Sequence, residues 1–354
     1  MSRIRTRFVA AMASAVVGSA LLSAPVAAVT PITFNIYVTG TCQNGTGQAS
    51  TNFTVRLLAP NGDQVGRVTT TSNSSGYWYA CFPSPAAPGD KVRATGGGAD
   101  RTVTIPNLSM NANRVSDVVS GHWIAGTGLV VCANHYTSFN LSTSVCLGAT
   151  SSGTGAYSVD FTSDINVHGY DTVSATYTSG SDNFYVQTTF PYMLVTRANA
   201  YVEGALNRGQ VATLTLKTGT GTVRGSARVQ GDAGNYFDGY FFASSGNVVL
   251  PRPADKVTGS FASDATITIP DITVTGVAST NVVSGSCMAN RPYMLFARKA
   301  DYSDYAYRYG TTDGSGHISL DLTADINLAK YDPLQFTCMY VNGDRIERDY
   351  YVAS

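Results

Sequence analysis

The sequence predicts an all-β protein, a tandem array of four small antiparallel β-sandwiches. Turn residues recur every eight to twelve positions or so, with no 3.6-residue apolar period between them. Only 13% of residues are charged, Glu203 and Glu347 are the only glutamates, and Asp, Ser, Thr, Gly and Asn fill the space instead. That balance disfavours exposed helix faces and favours strands and turns. Marker residues also return at about eighty-residue intervals, the mark of one supersecondary unit used repeatedly.

Taken in order, residues 1–28 read as a secretory leader: three arginines by Arg7, a small apolar run from Phe8, and a small-residue exit at Ser23–Ala28. The run is too diluted by Ala, Ser and Gly for a membrane anchor, no later segment reads as a bilayer span, and the C-terminus shows no hydrophobic tail. The leader's Arg/Ala-rich composition reads as bacterial. Four units follow, expected at 29–116, 117–200, 201–281 and 282–354. Gly40, Gly121, Gly204 and Gly285 mark one strand at separations of 81, 83 and 81 residues. Gly76, Gly155, Gly234 and Gly316 mark a second, and Asp90, Asp171, Asp255 and Asp332 a third.

The units alternate. "RTVTIP" of the first matches "ATITIP" of the third, whereas "DFTSDINVHGYD" (160–171) of the second matches "DLTADINLAKYD" (321–332) of the fourth. A two-unit block was therefore duplicated. Within units, Phe53, Val55 and Leu57, like Leu214 and Leu216, alternate as half-buried strands do, and Pro106 and Pro270 stop the ladders. Trp78 and Trp123 are isolated, as core tryptophans are.

The strand opened at the glycine of Gly76, the short loop, and the Asp90-Lys-Val92 step before a Thr-rich strand resemble bacterial extracellular immunoglobulin-like repeats. They are also similar to prealbumin-like carboxypeptidase regulatory domains. The resemblance implies non-catalytic modules used as spacers, adhesive units or binding appendages, and brings no catalytic residue.

Six cysteines fall two per unit: Cys42 with Cys81, Cys132 with Cys146, and Cys287 with Cys338. Six allow fifteen pairings, and segregation by unit selects the intra-unit set. Their spacing contains no C-x-x-C, so disulfides are expected rather than zinc.

Catalytic signatures are missing: no H-E-x-x-H, no G-x-S-x-G, no P-loop and no G-x-G-x-x-G. His122, His135, His168 and His317 fall singly along the sequence. The duplicated acids Asp160, Asp164, Asp171, Asp321, Asp325 and Asp332 are expected to do turn chemistry, with Asp164 and Asp325 capping their own backbone. Calcium ligation is the alternative, although the EF-hand spacing and its bidentate Glu are lacking. Tyr305, Tyr307 and Tyr309 share one face of a strand. Core or inter-unit packing is the default expectation for them; on a solvent face they would form an aromatic strip for glycans, polymers or another protein. "YFDGYFF" (236–242) raises the same question. The sequons at Asn44, Asn52, Asn73, Asn107 and Asn140 read as by-products of a Ser/Thr/Asn-rich surface.

Net charge is zero, and no Lys/Arg run follows the leader, so neither nucleic acid nor membrane insertion is expected. No cofactor is expected. The sequence thus reads as a secreted, non-enzymatic repeat protein, extracellular or cell-surface associated, with a structural, adhesive or ligand-binding role toward a polymer or protein. A secreted hydrolase of glycans or peptides is the alternative.

Overall fold

The computed structural model describes residues 29–140 and 143–353, and the leader expected at 1–28 lies outside the described residues. Every regular element among them is a strand. The first seven are β1 (Thr33–Tyr37), β2 (Cys42–Thr46), β3 (Asn52–Leu58), β4 (Gln64–Thr71), β5 (Tyr77–Cys81), β6 (Lys91–Gly96) and β7 (Ala99–Thr104). Strands β1, β2 and β5 form one layer and β4-β3-β6-β7 the other. Alternation along β3 turns Phe53, Val55 and Leu57 fully inward, and Trp78 of the opposite layer meets Phe53 at 6.4 Å. Burying each such side chain contributes about 1.5–3 kcal/mol.

The next seven repeat this plan: β8 (Ser109–Asn113), β9 (Val118–His122), β10 (Gly128–His135), β11 (Thr143–Thr150), β12 (Ala156–Asp160), β13 (Thr172–Ser179) and β14 (Asp182–Thr189). The third set is β15 (Tyr192–Thr196), β16 (Tyr201–Ala205), β17 (Val211–Lys217), β18 (Val223–Gln230), β19 (Tyr236–Tyr240), β20 (Lys256–Gly259) and β21 (Thr266–Thr268). The fourth is β22 (Thr273–Val277), β23 (Val282–Ser286), β24 (Pro292–Arg298), β25 (Tyr305–Thr311), β26 (His317–Asp321), β27 (Pro333–Met339) and β28 (Arg345–Tyr351). Strands β8, β15 and β22 pair with β9, β16 and β23. Each therefore opens a sandwich, and the boundaries expected at 116/117, 200/201 and 281/282 fall in the turn after that first strand.

Two marker glycines shift register. In the second strand of each sandwich a glycine faces a large core side chain: Gly45 opposite Trp78, Gly121 opposite Tyr157, Gly204 opposite Phe237, Gly285 opposite Ile318. A Cβ at Gly45 or Gly121 would sit 2.0 or 2.1 Å from a carbonyl oxygen of the first strand. The counterpart of Gly121 is thus Gly45, not Gly40. At the second marker Gly76, Gly155 and Gly316 hold positive φ, but in the third sandwich Asn235, not Gly234, takes that conformation. Asparagine tolerates the left-handed region, so the turn survives without glycine there.

The four sandwiches are fused in pairs. Parallel pairing of β1 with β14 merges layers of the first two into one sheet, β11-β10-β13-β14-β1-β2-β5. Parallel pairing of β15 with β28 does the same for the last two, giving β19-β16-β15-β28-β27-β24-β25. Each seam removes two open edges that would otherwise invite pairing with other chains. One continuous core runs under each fused sheet, from Ile32 to Phe190 and from Met193 to Val352.

Both seams use the same buried acid. The Asp182 carboxylate accepts the Phe34 N–H at 3.0 Å and pairs with Arg101 at 2.6 Å. Asp344 accepts the Met193 N–H at 2.9 Å, but its arginine is Arg114, from the first block, at 2.9 Å. Arg114 also reaches Asp264 and the Pro191 carbonyl. Asn207 exchanges two hydrogen bonds with the Ala112 backbone, and the Gly169 N–H donates to the Asn342 carbonyl. The two blocks are thereby locked by a polar contact with a buried ion pair at its centre.

Candidate binding surface

Strand β25 is the outermost strand of the second fused sheet. Its pairing sets Ala306 opposite Ala297, both turned into the core, and sends the alternate residues outward. Tyr305, Tyr307 and Tyr309 are 64, 44 and 45% exposed. The default expectation of core packing therefore fails: the small residue takes the inner face, and the phenol hydroxyls reach water, which removes the need for buried partners. Neighbouring rings lie 5.8 and 6.3 Å apart, Tyr307 and Tyr309 with planes only 6° apart. Phe296 of β24 stacks beside Tyr307 at 4.6 Å and stiffens the strip.

The strip ends at the block junction, where Phe139 approaches Tyr309 at 6.2 Å. Beside it the Arg345 guanidinium lies 3.2 Å from the Tyr170 ring centre and 4.6 Å from that of Phe139. Its Nε and Nη2 are buried without a hydrogen-bond partner, so the aromatic faces supply most of its compensation. Glu347, two residues on, is also buried, with Thr337 donating at 3.0 Å. Burial, then the nearby Asp349 charge, pushes its carboxyl up to about 7.

The duplicated acids do not converge. Asp160 and Asp321 each accept the N–H of Thr162 or Thr323 at 2.9 Å, an Asx turn, and hydrogen bonding from that threonine holds both below the usual carboxylate range. Asp164 accepts from the Ser163 hydroxyl and Asp325 pairs with Arg308. The backbone capping expected of those two is done instead by Asp117 and Asn281, which accept the Val167 and Leu328 N–H groups. Ile165, Val167, Ile326 and Leu328 are buried, as the crossing of layers requires.

Asp171 and Asp332 share one role with Asp90 and Asp255. Each accepts the N–H three residues before it, at 2.8, 2.7, 2.9 and 2.9 Å, rather than two residues on. Asp171 also accepts the Tyr136 N–H and meets His135 Nδ1 at 2.7 Å, as Asp332 accepts the Ala300 N–H and meets Lys299 at 3.2 Å. His135 thus occupies the place of Lys299 as partner of a turn acid. Its ring lies 4.9 Å from that of His168, so two histidines distant in sequence do meet. Among the described residues, no group of three His, Cys, Asp or Glu side chains is arranged to hold a metal ion.

Disulfides join Cys42 to Cys81, Cys132 to Cys146, and Cys287 to Cys338. The first two link directly opposed residues of β2/β5 and β10/β11. The third ties the residue after β23 to β27, across the layers of the fourth sandwich. Loops of this length contribute about 3–4 kcal/mol each in the chain-entropy account.

Two features escaped sequence reading. Arg197, Arg224, Arg252 and Arg348, dispersed along the chain, line one cavity of about 460 Å³; Asp271 and Asp255 pair with the first two. Four tyrosines of the first block, Tyr37, Tyr77, Tyr79 and Tyr185, stand on the outer face of its fused sheet.

No protein-family model matches the chain, and no curated protein matches it. Among solved structures, a tetra-tandem repeat from the extending region of a large adhesion protein aligns over 91% of this chain and 100% of its own, at 14% identity and a TM-score of 0.19. The BSP domain of a biofilm-associated protein aligns over 92% and 96%, at 8% identity and a TM-score of 0.19. Native alpha-2-macroglobulin of E. coli aligns over 92% of this chain, at 11% identity and a TM-score of 0.18, and this chain spans only 28% of its length.

Proposed function

We propose that the chain is a secreted, non-enzymatic extracellular repeat protein that adheres to a polymer or protein partner through the tyrosine strip of β25. One observation carries this reading: Tyr305, Tyr307 and Tyr309 stand in register on solvent, where folding gives no reason for three rings. Stacking gives weak, tolerant recognition, about 1 kcal/mol per ring, which many copies on a surface raise to useful avidity. The three disulfides suit an oxidising compartment.

The hydrolase alternative has one feature in its favour, the Asp171–His135 pair. The same place is filled by Asp332 and Lys299 in the fourth sandwich, which explains the pair as turn architecture. The experiment incubates purified protein with immobilised cell-wall polysaccharides and extracellular-matrix proteins, reading retention and released fragments together. Retention without fragments is expected. Fragments that disappear in His135→Ala would establish the hydrolase instead.

A further inference from the structure

The first fused sheet has an outer face of a different kind. Following the register across the seven strands, through Cys146, Cys132, Ser174 and Gln187 in one row and Thr178, Asn183, Asn35, Asn44 and Tyr79 in another, no position on this face carries a charged side chain. The duplicated sheet shows what the same scaffold otherwise tolerates: its outer face holds Arg298, Arg345, Glu347, Asp349, Glu203 and Asp238.

Amides and rings take the place of charge. Thr178 donates to Asn183, Asn183 to Asn35 and Asn35 to Asn44, at 2.9, 3.0 and 3.0 Å, a ladder across four strands. Each donating Asn amide keeps a second N–H for an external acceptor. One row along, Tyr37 and Tyr185 stack at 5.0 Å and 20° across the β1/β14 seam. Tyr79 and Tyr77, 50 and 40% exposed, wall a depression of about 430 Å³ with Tyr37, Asn44 and Cys42.

We infer that this face is a binding platform for an uncharged polysaccharide chain. A partner rich in phosphate, sulfate or carboxylate would lose its hydration and find no cation here, whereas a neutral sugar offers C–H faces to the rings and hydroxyl pairs to the amides. Seven strands at about 4.8 Å spacing give a track of about 29 Å, long enough for several sugar units. The site is independent of the β25 strip, on another sheet of the other block.

The experiment measures retention of the whole protein on cellulose, chitin and a neutral soluble glucan, with alginate and heparin as charged controls. Expected is retention on at least one neutral polymer, unchanged between about 0.1 and about 1 M salt, where a charge-driven contact would be screened. Tyr79→Ala is expected to weaken it about fivefold at unchanged melting temperature, the change that corresponds to about 1 kcal/mol for one ring. Tyr79→Phe retains binding, as does Tyr305→Ala/Tyr307→Ala, which separates this site from the strip. Absence of retention on every neutral polymer overturns the inference, as does binding only to the charged controls. A dimer abolished by Tyr79→Ala would assign the face to a second copy and overturn it too.

Discussion

Glu347→Gln will stabilise the protein at alkaline pH and leave it almost unchanged in mild acid. The carboxyl is 7% exposed and its pKa is raised from 4.5 to about 7, first by burial and then by the charge of Asp349. A raised carboxyl binds its proton more tightly folded than unfolded. Its neutral form is therefore compatible with folding below pH 4.5, and stability is lost as pH climbs from there to about 7. The shift of about 2.5 units corresponds to about 3 kcal/mol of destabilisation above neutrality, against less than about 0.5 kcal/mol near pH 4.5. Glutamine keeps the shape and the Thr337 contact and cannot ionise. Calorimetry at about pH 4.5 and about pH 8.5 reads the difference directly; tryptophan fluorescence does not, because Trp78 and Trp123 both lie in the first block. A variant whose advantage is the same at both pH values, or that is less stable at about pH 8.5, would show that the Glu347 carboxyl does not carry this pH dependence.

Further outcomes follow from the same structure. Arg114→Met strands Asp344 as a buried unpaired acid and is expected to cost about 3–5 kcal/mol; scattering in solution should then show the blocks moving apart, and an unchanged profile and melting temperature would contradict the lock. Asp332→Ala removes the acceptor of the Ala329 and Ala300 N–H groups and is expected to cost about 2 kcal/mol. Asp164→Ala, at an exposed site, should cost under about 0.5 kcal/mol, and the parent's melting temperature should not respond to calcium; a rise with calcium that chelator reverses would restore the ion-site alternative. Non-reducing peptide mapping should recover Cys42–Cys81, Cys132–Cys146 and Cys287–Cys338, and any bridge between sandwiches would contradict the fold.

The all-β class and the fourfold repeat were legible because alternation and turn chemistry are local. Phe53, Val55, Leu57 and the Asp before each sixth strand announce themselves within a few residues. Boundaries came out one strand late because the marker glycine lies on the second strand, not the first. Fusion of sandwiches was not legible at all: nothing around Asn35 or Leu194 says that its partner is Asn183 or Arg345, about 150 residues away. For the same reason Arg114, which completes another block's buried acid, reads in sequence as one more surface arginine. The tyrosine strip was visible as a period of two, but which face it takes depends on Ala297 opposite Ala306. The uncharged outer face is a property of seven strands at once and has no signature in any one of them.

If the β25 tyrosines are the adhesive surface, removing two of them abolishes adhesion without unfolding the chain. Wild type and Tyr305→Ala/Tyr307→Ala are compared for retention on a wall polymer or matrix protein that captures both the parent and Tyr79→Ala, so that the first fused sheet does not contribute, with melting temperature recorded on the same samples. An unchanged melting temperature and about a thirtyfold loss of retention are expected, at about 1 kcal/mol for each of the two rings. Retention equal to wild type in a folded variant would contradict that role of the tyrosines.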